Sequence, residues 1–527
     1  MIRFRDANSF AVIEPRIWHL KEEIQRLLSL VELEKDGKLV AVNGFRLRHV
    51  PDWLDYSTNT AMNALTPISG VCNSKCSFCF EEGIPFPREQ SLMSMAETRT
   101  RLKFYDPETG RALFPSNRPH METFIHPQAV EIIKLARERE PGKLFWITTN
   151  GSHFDEPTIE RLAALKPLIF KLSLNAADPT LNQELMRTGR RTQIALRAPA
   201  LLQKYRIPFM GSIVAWPTMS LESIVDTVRY LERYQAYAIR IRLPLTHRWL
   251  KQQLVEDFHV HWRRIAALGH ELRSQVSVPL FVEPPVYWVN PIIPEVDGVV
   301  LNSPAYRAGV RPTDRICEIN SKTVHTRIES EAILDTCHLA GQDVDLIVER
   351  NGQRIAMQLP LNGEPDLDTY PYNSHCFYRG ENYGIFHVED FRLRYIHDMF
   401  EVIDRYQAEN VMLFSSAVVA PVFETLVNTI PEFAERLARV TIYVETVEEN
   451  TAGGNYDVMD SRFVKDYAAV IRRRLAQGIP IDLILIPDAF GSPWGMDMTG
   501  ASYADIALEF GVPLERIEWL MVFGREV

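Results

Sequence analysis

The stretch GVCNSKCSFCFE, residues 70–81, decides how this chain is read. It holds three of the six cysteines in 527 residues, at Cys72, Cys76 and Cys79. The small and polar residues between them describe a loop. Three chemistries compete for thiols this close. A disulfide is disfavoured by the odd count and by the reducing compartment inferred below. A structural zinc needs a fourth ligand. Cys317, Cys337, Cys376 and the distant histidines are open as its source, although no paired C-x-x-C or H-x-x-H supports them. A four-iron cluster on three thiolates leaves one iron open, which suits a cluster that binds a substrate or cofactor while passing it an electron.

The rest of the chain is that of an ordinary globular protein. Hydrophobic residues make up 46% and charged residues 24%, and the length corresponds to about three domains. With 68 acidic against 58 basic residues the net charge is −10, which argues against a nucleic-acid or membrane-surface protein. No apolar run approaches the ~18 residues of a membrane helix. The start, MIRFRDANSFAVIEPRIWHL, has no apolar signal core, so a cytoplasmic location is expected.

Downstream of the cysteines, strand and helix patterns alternate. NALTPISGV can supply an entering strand. LFWITT (144–149), LIFKLSL (168–174), FMGSIVAW (209–216) and AIRIRL (238–243) are short, apolar and rich in β-branched residues. EPTIERLAAL, IALRAPALLQKY and LESIVDTVRYLERY carry helical spacing between them, the last through Leu221, Ile224, Val225, Val228 and Leu231. Alternation of this kind predicts a parallel sheet, with chemistry at the C-terminal strand ends.

The run CNSKCSFC, with Phe78 as the aromatic, resembles the signature of the radical S-adenosylmethionine (SAM) superfamily. That resemblance implies an α/β fold built on a partial (β/α)6 TIM-type barrel, with the cluster loop after the first strand. It implies a [4Fe–4S] cluster on Cys72, Cys76 and Cys79 whose open iron is chelated by SAM. The run TTNGSHFDEPTIERLAALKPLIFKLSLNAADP is similar to the family's downstream pattern. By that likeness Phe78 joins the cofactor site, Ser173 and Asn175 face the SAM ribose, and Asn150 lies nearby. The bland reading makes Asn150-Gly151 a turn and Asn175 a helix cap. The family's Gly-Gly-Glu-Pro is replaced here by His120, Met121 and Glu122; Glu122 is expected to accept from the SAM ammonium.

Two further regions follow. SPAYRAGVRPTDRICEINSKTV resembles the core of a bacterial-type PDZ domain, with Thr313-Asp314 where that family has Gly-Asp. VDLIVE, NG and QRIAMQL form a hairpin by the Asn-Gly rule. The expected organisation is an N-terminal extension at 1–60, the barrel at 61–289, a small β-rich PDZ-like domain at 290–362, and a C-terminal α/β domain at 363–527. Cys317 and Cys337 are expected as core thiols, and Cys376 as a buried bystander with a radical-quenching thiol as the alternative. A PDZ domain docks peptides as an added strand; the competing reading makes this one a structural brace.

The function implied by the resemblance is reductive cleavage of SAM to a 5′-deoxyadenosyl radical, which abstracts hydrogen from an unidentified substrate. An electron donor such as flavodoxin or ferredoxin is implied, with a peptide or protein partner for the PDZ-like domain and no membrane or nucleic-acid partner. Individual catalytic residues are not assigned. Two other classes compete: a PDZ-containing scaffold with a structural metal, and an iron–sulfur electron-transfer protein that does not use SAM.

Overall fold

The computed structural model describes residues 65, 68–80, 83, 92–105, 113–114, 122–250, 257–283, 292–361, 383–387, 391–417, 419–447, 451–455, 463–487, 497 and 501–517, with a short hairpin at 33–35 and 38–40. His120, Met121 and Cys376 lie outside these residues.

The first sheet has five parallel strands in chain order: β1 Phe145–Thr149, β2 Leu168–Ser173, β3 Phe209–Val214, β4 Ala238–Arg242 and β5 Leu280–Glu283. Helices α1 Met95–Phe104 and α2 Ala129–Arg139 precede it. Helices α3 Glu156–Ala163, α4 Pro179–Met186, α5 Thr192–Lys204, α6 Leu221–Arg233 and α7 Phe258–Arg273 connect its strands. Side chains cap four of these starts: Asp155 accepts from Thr158 N–H, Asp178 from Leu181 N–H, Ser220 from Ser223 N–H and Asp257 from His259 and Val260 N–H. Phe145, Ile147, Phe170, Leu172 and Ile239 face the main core with Ile159, Leu162, Val228 and Trp262 from the helices. Trp146, Ile169, Met210, Ala238 and Phe281 form a separate apolar cluster across the other face.

Helix α7 and strand β5 are additions to the predicted elements. The entering strand expected at NALTPISGV lies partly outside the described residues; within them Leu65 N–H donates to Leu113 O, and Ser69 bridges Leu92.

The PDZ-like unit contains β6 Gly298–Val299, α8 Pro304–Ala308, β7 Arg315–Ile319, β8 Lys322–Thr323, α9 Arg327–Leu339, β9 Val344–Arg350 and β10 Gln353–Leu359. Its antiparallel sheet runs β8-β7-β9-β10. Asn351 (φ 51°) and Gly352 (φ 76°) make the expected tight turn between β9 and β10. The chain returns to this unit later: β11 Ile385–Phe386 pairs antiparallel with β6, and Tyr383 and Ile385 enter its core. Cys337 is buried in that core, whereas Cys317 is half-buried.

This ribbon of β6 and β11 forms a floor under the first sheet. Val300 and Phe386 pack with Leu144, Trp146, Ile169, Met210, Tyr237 and Phe281, residues at the N-terminal strand ends, and the Phe281 and Phe386 rings lie 5.0 Å apart. Buried Asp297 ties the two units, with Arg273 of α7 at 2.7 Å and Arg327 of α9 at 3.4 Å.

The C-terminal unit is α/β. After α10 Leu393–Tyr406 come β12 Asn410–Ser415, α11 Ala420–Thr429, α12 Pro431–Leu437, β13 Thr441–Thr446, α13 Val464–Ala476, β14 Leu483–Pro487, α14 Ala504–Phe510 and β15 Leu514–Ile517. The sheet is parallel in the order β13-β12-β14-β15. Val411, Leu413, Leu483 and Leu485 belong to the same hydrophobic core as the first sheet.

Candidate metal and cofactor centre

The loop of Cys72, Cys76 and Cys79 is fastened near the C-terminal ends of β1 and β2. The last carbonyls of a helix lack intrahelical partners. At the end of α4 they are met by the loop: Lys75 N–H donates to Met186 O (3.3 Å) and Ser77 N–H to Leu185 O (2.9 Å). The Cys76 thiol lies 3.7 Å from Met186 O and 3.8 Å from its sulfur.

The turn after β1 holds the loop from a second direction. Asn150 Nδ2 donates to Ser74 Oγ (2.9 Å) and Asn73 Oδ1 (3.1 Å), and Asn73 Nδ2 donates to Ser152 Oγ (2.9 Å). Gly151, at φ 69°, allows the turn; a Cβ there would lie 2.8 Å from Leu172.

Glu122 joins both. Its N–H donates to Val71 O, next to Cys72. Its carboxylate accepts from Thr149 Oγ1 (2.7 Å), Asn150 N–H (2.7 Å) and Phe124 N–H (3.1 Å). Burial raises its pKa above the ordinary carboxylate value, against the lowering effect of those donors.

The remaining expected residues are placed differently. Phe78 packs on Trp216 at 6.4 Å between ring centroids. Ser173 ends β2 and shares a register row with Ser212, Arg240 and Phe281. In that row Arg240 donates to Ser212 Oγ (3.0 Å) and pairs with Glu283 (3.0 Å), giving a polar layer above the apolar floor. Asn175 is fully buried, and its amide is engaged inside the protein: Oδ1 accepts from Val214 N–H (2.6 Å) and Nδ2 lies on the Met186 sulfur. These bonds brace β2 against β3.

Cys72, Cys76 and Cys79 form no disulfide and are half-buried. Among the described residues no three Cys, His, Asp or Glu side chains are already drawn into a closed metal-holding group. The chemistry of the donor set fits an iron centre. The Cys76 thiol is pushed far up by burial first, then by the charges of Cys79 and Cys72; Cys72 is raised by burial, with Glu122 adding to it. A bound cation opposes both burial and mutual repulsion, and coordinating thiols ionise outright. Sequence reading missed Asn73, Ser74, Ser152, Met186 and His247. Only the polar pair inside the cysteine run was a local signal for any of them.

Residues 66–231 match the family model of the radical SAM superfamily, and residues 267–361 match that of the PDZ domain. The chain therefore carries a radical SAM domain followed by a PDZ domain. The FeMo cofactor biosynthesis protein NifB of Chlorobaculum tepidum is 26% identical over 145 residues, covering 26% of this chain and 34% of that protein. The chain thus spans about a third of the length of this curated relative. Among solved structures, Streptococcus suis SuiB aligns at 16% identity with a TM-score of 0.34, over 51% of this chain and 60% of that one. SuiB bound to S-adenosylmethionine aligns at 17% identity and a TM-score of 0.33, with the same coverage. The radical SAM family uses a [4Fe–4S] cluster and SAM. No helix of the described residues is long and apolar enough to cross a membrane.

Proposed function

We propose that this chain is a radical SAM enzyme whose Cys72, Cys76 and Cys79 hold the [4Fe–4S] cluster. One observation carries the reading: three cysteines within eight residues, none in a disulfide, sit on a loop fastened to the Asn150 turn and the end of α4. When bound, the cluster supplies an electron and SAM a carbon radical able to take hydrogen from an unreactive carbon. The chain's own residues build the setting. Asn150 and Glu122 orient the loop. The row of Ser173, Ser212 and Arg240 offers polar contacts to bound molecules. The floor residues Val300 and Phe386 seal the N-terminal strand ends at Trp146 and Phe281 against water.

Anaerobic reconstitution tests this. About four irons should bind per chain, and added SAM should perturb the electron paramagnetic resonance signal of the reduced protein. A zinc-only protein, or a Cys76→Ala variant with full iron content, defeats the proposal. Iron without any 5′-deoxyadenosine formation points instead to an electron carrier.

The PDZ module adds a docking edge to this reading. Val300 N–H donates to Gly384 O and Asp297 N–H to Phe386 O, so by alternation the backbone groups of Ile385 point away from β6. That side lies along α9, where Ser330 Oγ meets His387 Nε2 (3.1 Å) and the rings of His338 and Tyr383 meet at 6.2 Å. An extended peptide adds to such an edge. Hydrogen exchange at Ile385, measured against a set of C-terminal heptapeptides, should slow with a binder. No slowing with any of them leaves the module as floor and brace.

A further inference from the structure

The far end of the cysteine loop is held by residues distant from the sequence motifs. Phe80, immediately after Cys79, gives its carbonyl to His247 Nε2 at 2.7 Å, and its ring stands edge-on to the imidazole at 5.0 Å. His247 Nδ1 accepts from Trp249 N–H (3.2 Å). With Nδ1 occupied as acceptor, Nε2 carries the proton and donates to Phe80. His247 is buried, and burial lowers its pKa, which keeps it in this neutral form.

The segment carrying His247 is gripped by the C-terminal unit. Asn455 Oδ1 accepts from Thr246 N–H (2.7 Å) and from Thr246 Oγ1 (3.1 Å), while its Nδ2 donates to Pro244 O (2.8 Å). Arg248 N–H donates to Ala452 O (2.7 Å). Gly454, at φ 64°, permits the approach, since a Cβ there would stand 2.4 Å from Thr246 O. Thr451 anchors the segment to α13 through its Oγ1 on Asp466 Oδ1 (2.5 Å). Thr246, His247, Ala452, Asn455 and Asp466 are all buried.

We propose that the C-terminal unit is a clamp on the cluster loop. Asn455 is a positioning residue that acts through Thr246 and His247 on Phe80, so the order of the loop after Cys79, and its hold on iron, depend on the segment 451–455. This rests on the radical SAM reading only for the iron; the clamp itself is a property of the chain.

The test uses the full chain with Asn455→Ala, and Thr246→Val as a milder variant that removes only the Oγ1 bonds. In metal-free protein, amide exchange at Phe80 should quicken roughly tenfold in Asn455→Ala, as expected for the net loss of about one to two buried hydrogen bonds. Exchange in β1 should stay at the parent rate. After reconstitution, iron retained per folded chain through gel filtration should fall in Asn455→Ala and His247→Ala, whereas His247→Gln, which keeps a donor toward Phe80, should retain it. Parent-like exchange at Phe80 in folded Asn455→Ala and Thr246→Val overturns the clamp. A parent protein that binds no iron overturns the radical SAM reading and leaves the exchange result standing.

Discussion

Asn150 Nδ2 donates to Ser74 Oγ at 2.9 Å across 76 residues of chain, fixing the turn after β1 to the loop between Cys72 and Cys76. The same side chain reaches Asn73, and its Oδ1 accepts from Ser152 N–H. Asn150→Ala should therefore lose iron during reconstitution while the sheet stays folded, with a stability cost of roughly 1–3 kcal/mol for the orphaned partners. Iron content equal to the parent's in this variant would show that the loop is ordered without the staple.

Glu122 behaves as an internal acceptor. The sequence-based expectation is that Glu122 accepts from the SAM ammonium, so that Glu122→Gln would weaken SAM binding. In the structure both carboxylate oxygens take buried N–H or O–H donors, and an amide would turn its NH2 toward one of them. Glu122→Gln should lower the melting temperature and the iron content together, at a cost of about 2–3 kcal/mol. A variant that melts with the parent and differs only in SAM affinity restores the original expectation.

Thr313 stands where the PDZ pattern has glycine, and its φ is 71°. A β-branched residue in the left-handed region costs about 1–2 kcal/mol, against the ~0.5–1 kcal/mol that glycine loses in backbone entropy. Thr313 N–H donates to Val296 O, a bond that glycine keeps. Thr313→Gly should raise stability by up to about 1 kcal/mol in denaturant titration. A lower midpoint would mean that the side chain contributes more than its backbone strain costs.

His387 is buried against Glu295 O and Ser330, with Asp297 and Arg327 near, and its pKa falls to about 4, chiefly through burial. As pH falls below the usual 6.5, the unfolded chain takes up a proton that the folded chain refuses. Stability should thus hold above pH 6.5 and drop between 6.5 and 4, by up to about 3 kcal/mol from this group. His387→Gln should flatten that part of the pH profile; an unchanged slope assigns the acid sensitivity elsewhere.

Removing 292–361 takes β6 and Val300 out of the floor and leaves β11 without its paired strand. Trp146, Ile169, Met210 and Phe281 would face water, a contiguous patch of the kind that drives aggregation. The truncated chain should be insoluble or lose iron. A soluble truncation holding the parent's iron would reduce the floor to a loose lid over a self-sufficient sheet.

The sequence determined those features that repeat at short range. Strands β1 to β4 follow from β-branched apolar runs, and their helices from caps and 3.6-residue spacing, because each depends on neighbours a few positions away. The three thiols were legible for the same reason: one loop carries all of them. Strand β5, four residues long, is too short to stand out as a pattern, and the expected entering strand lies partly outside the described residues.

Tertiary structure alone decided what the polar groups do. Asn150 and Asn175 are both expected near the cofactor by resemblance; the fold shows Asn150 stapling the cysteine loop and Asn175 accepting from Val214 N–H. Asn455 reaches Thr246 over 209 residues, and β11 joins the PDZ unit from beyond the hairpin that closes its pattern. A hydrogen bond is satisfied at about 2.9 Å by whatever partner the fold brings near, so it leaves no periodicity in the chain; apolar burial, which needs a whole face, does.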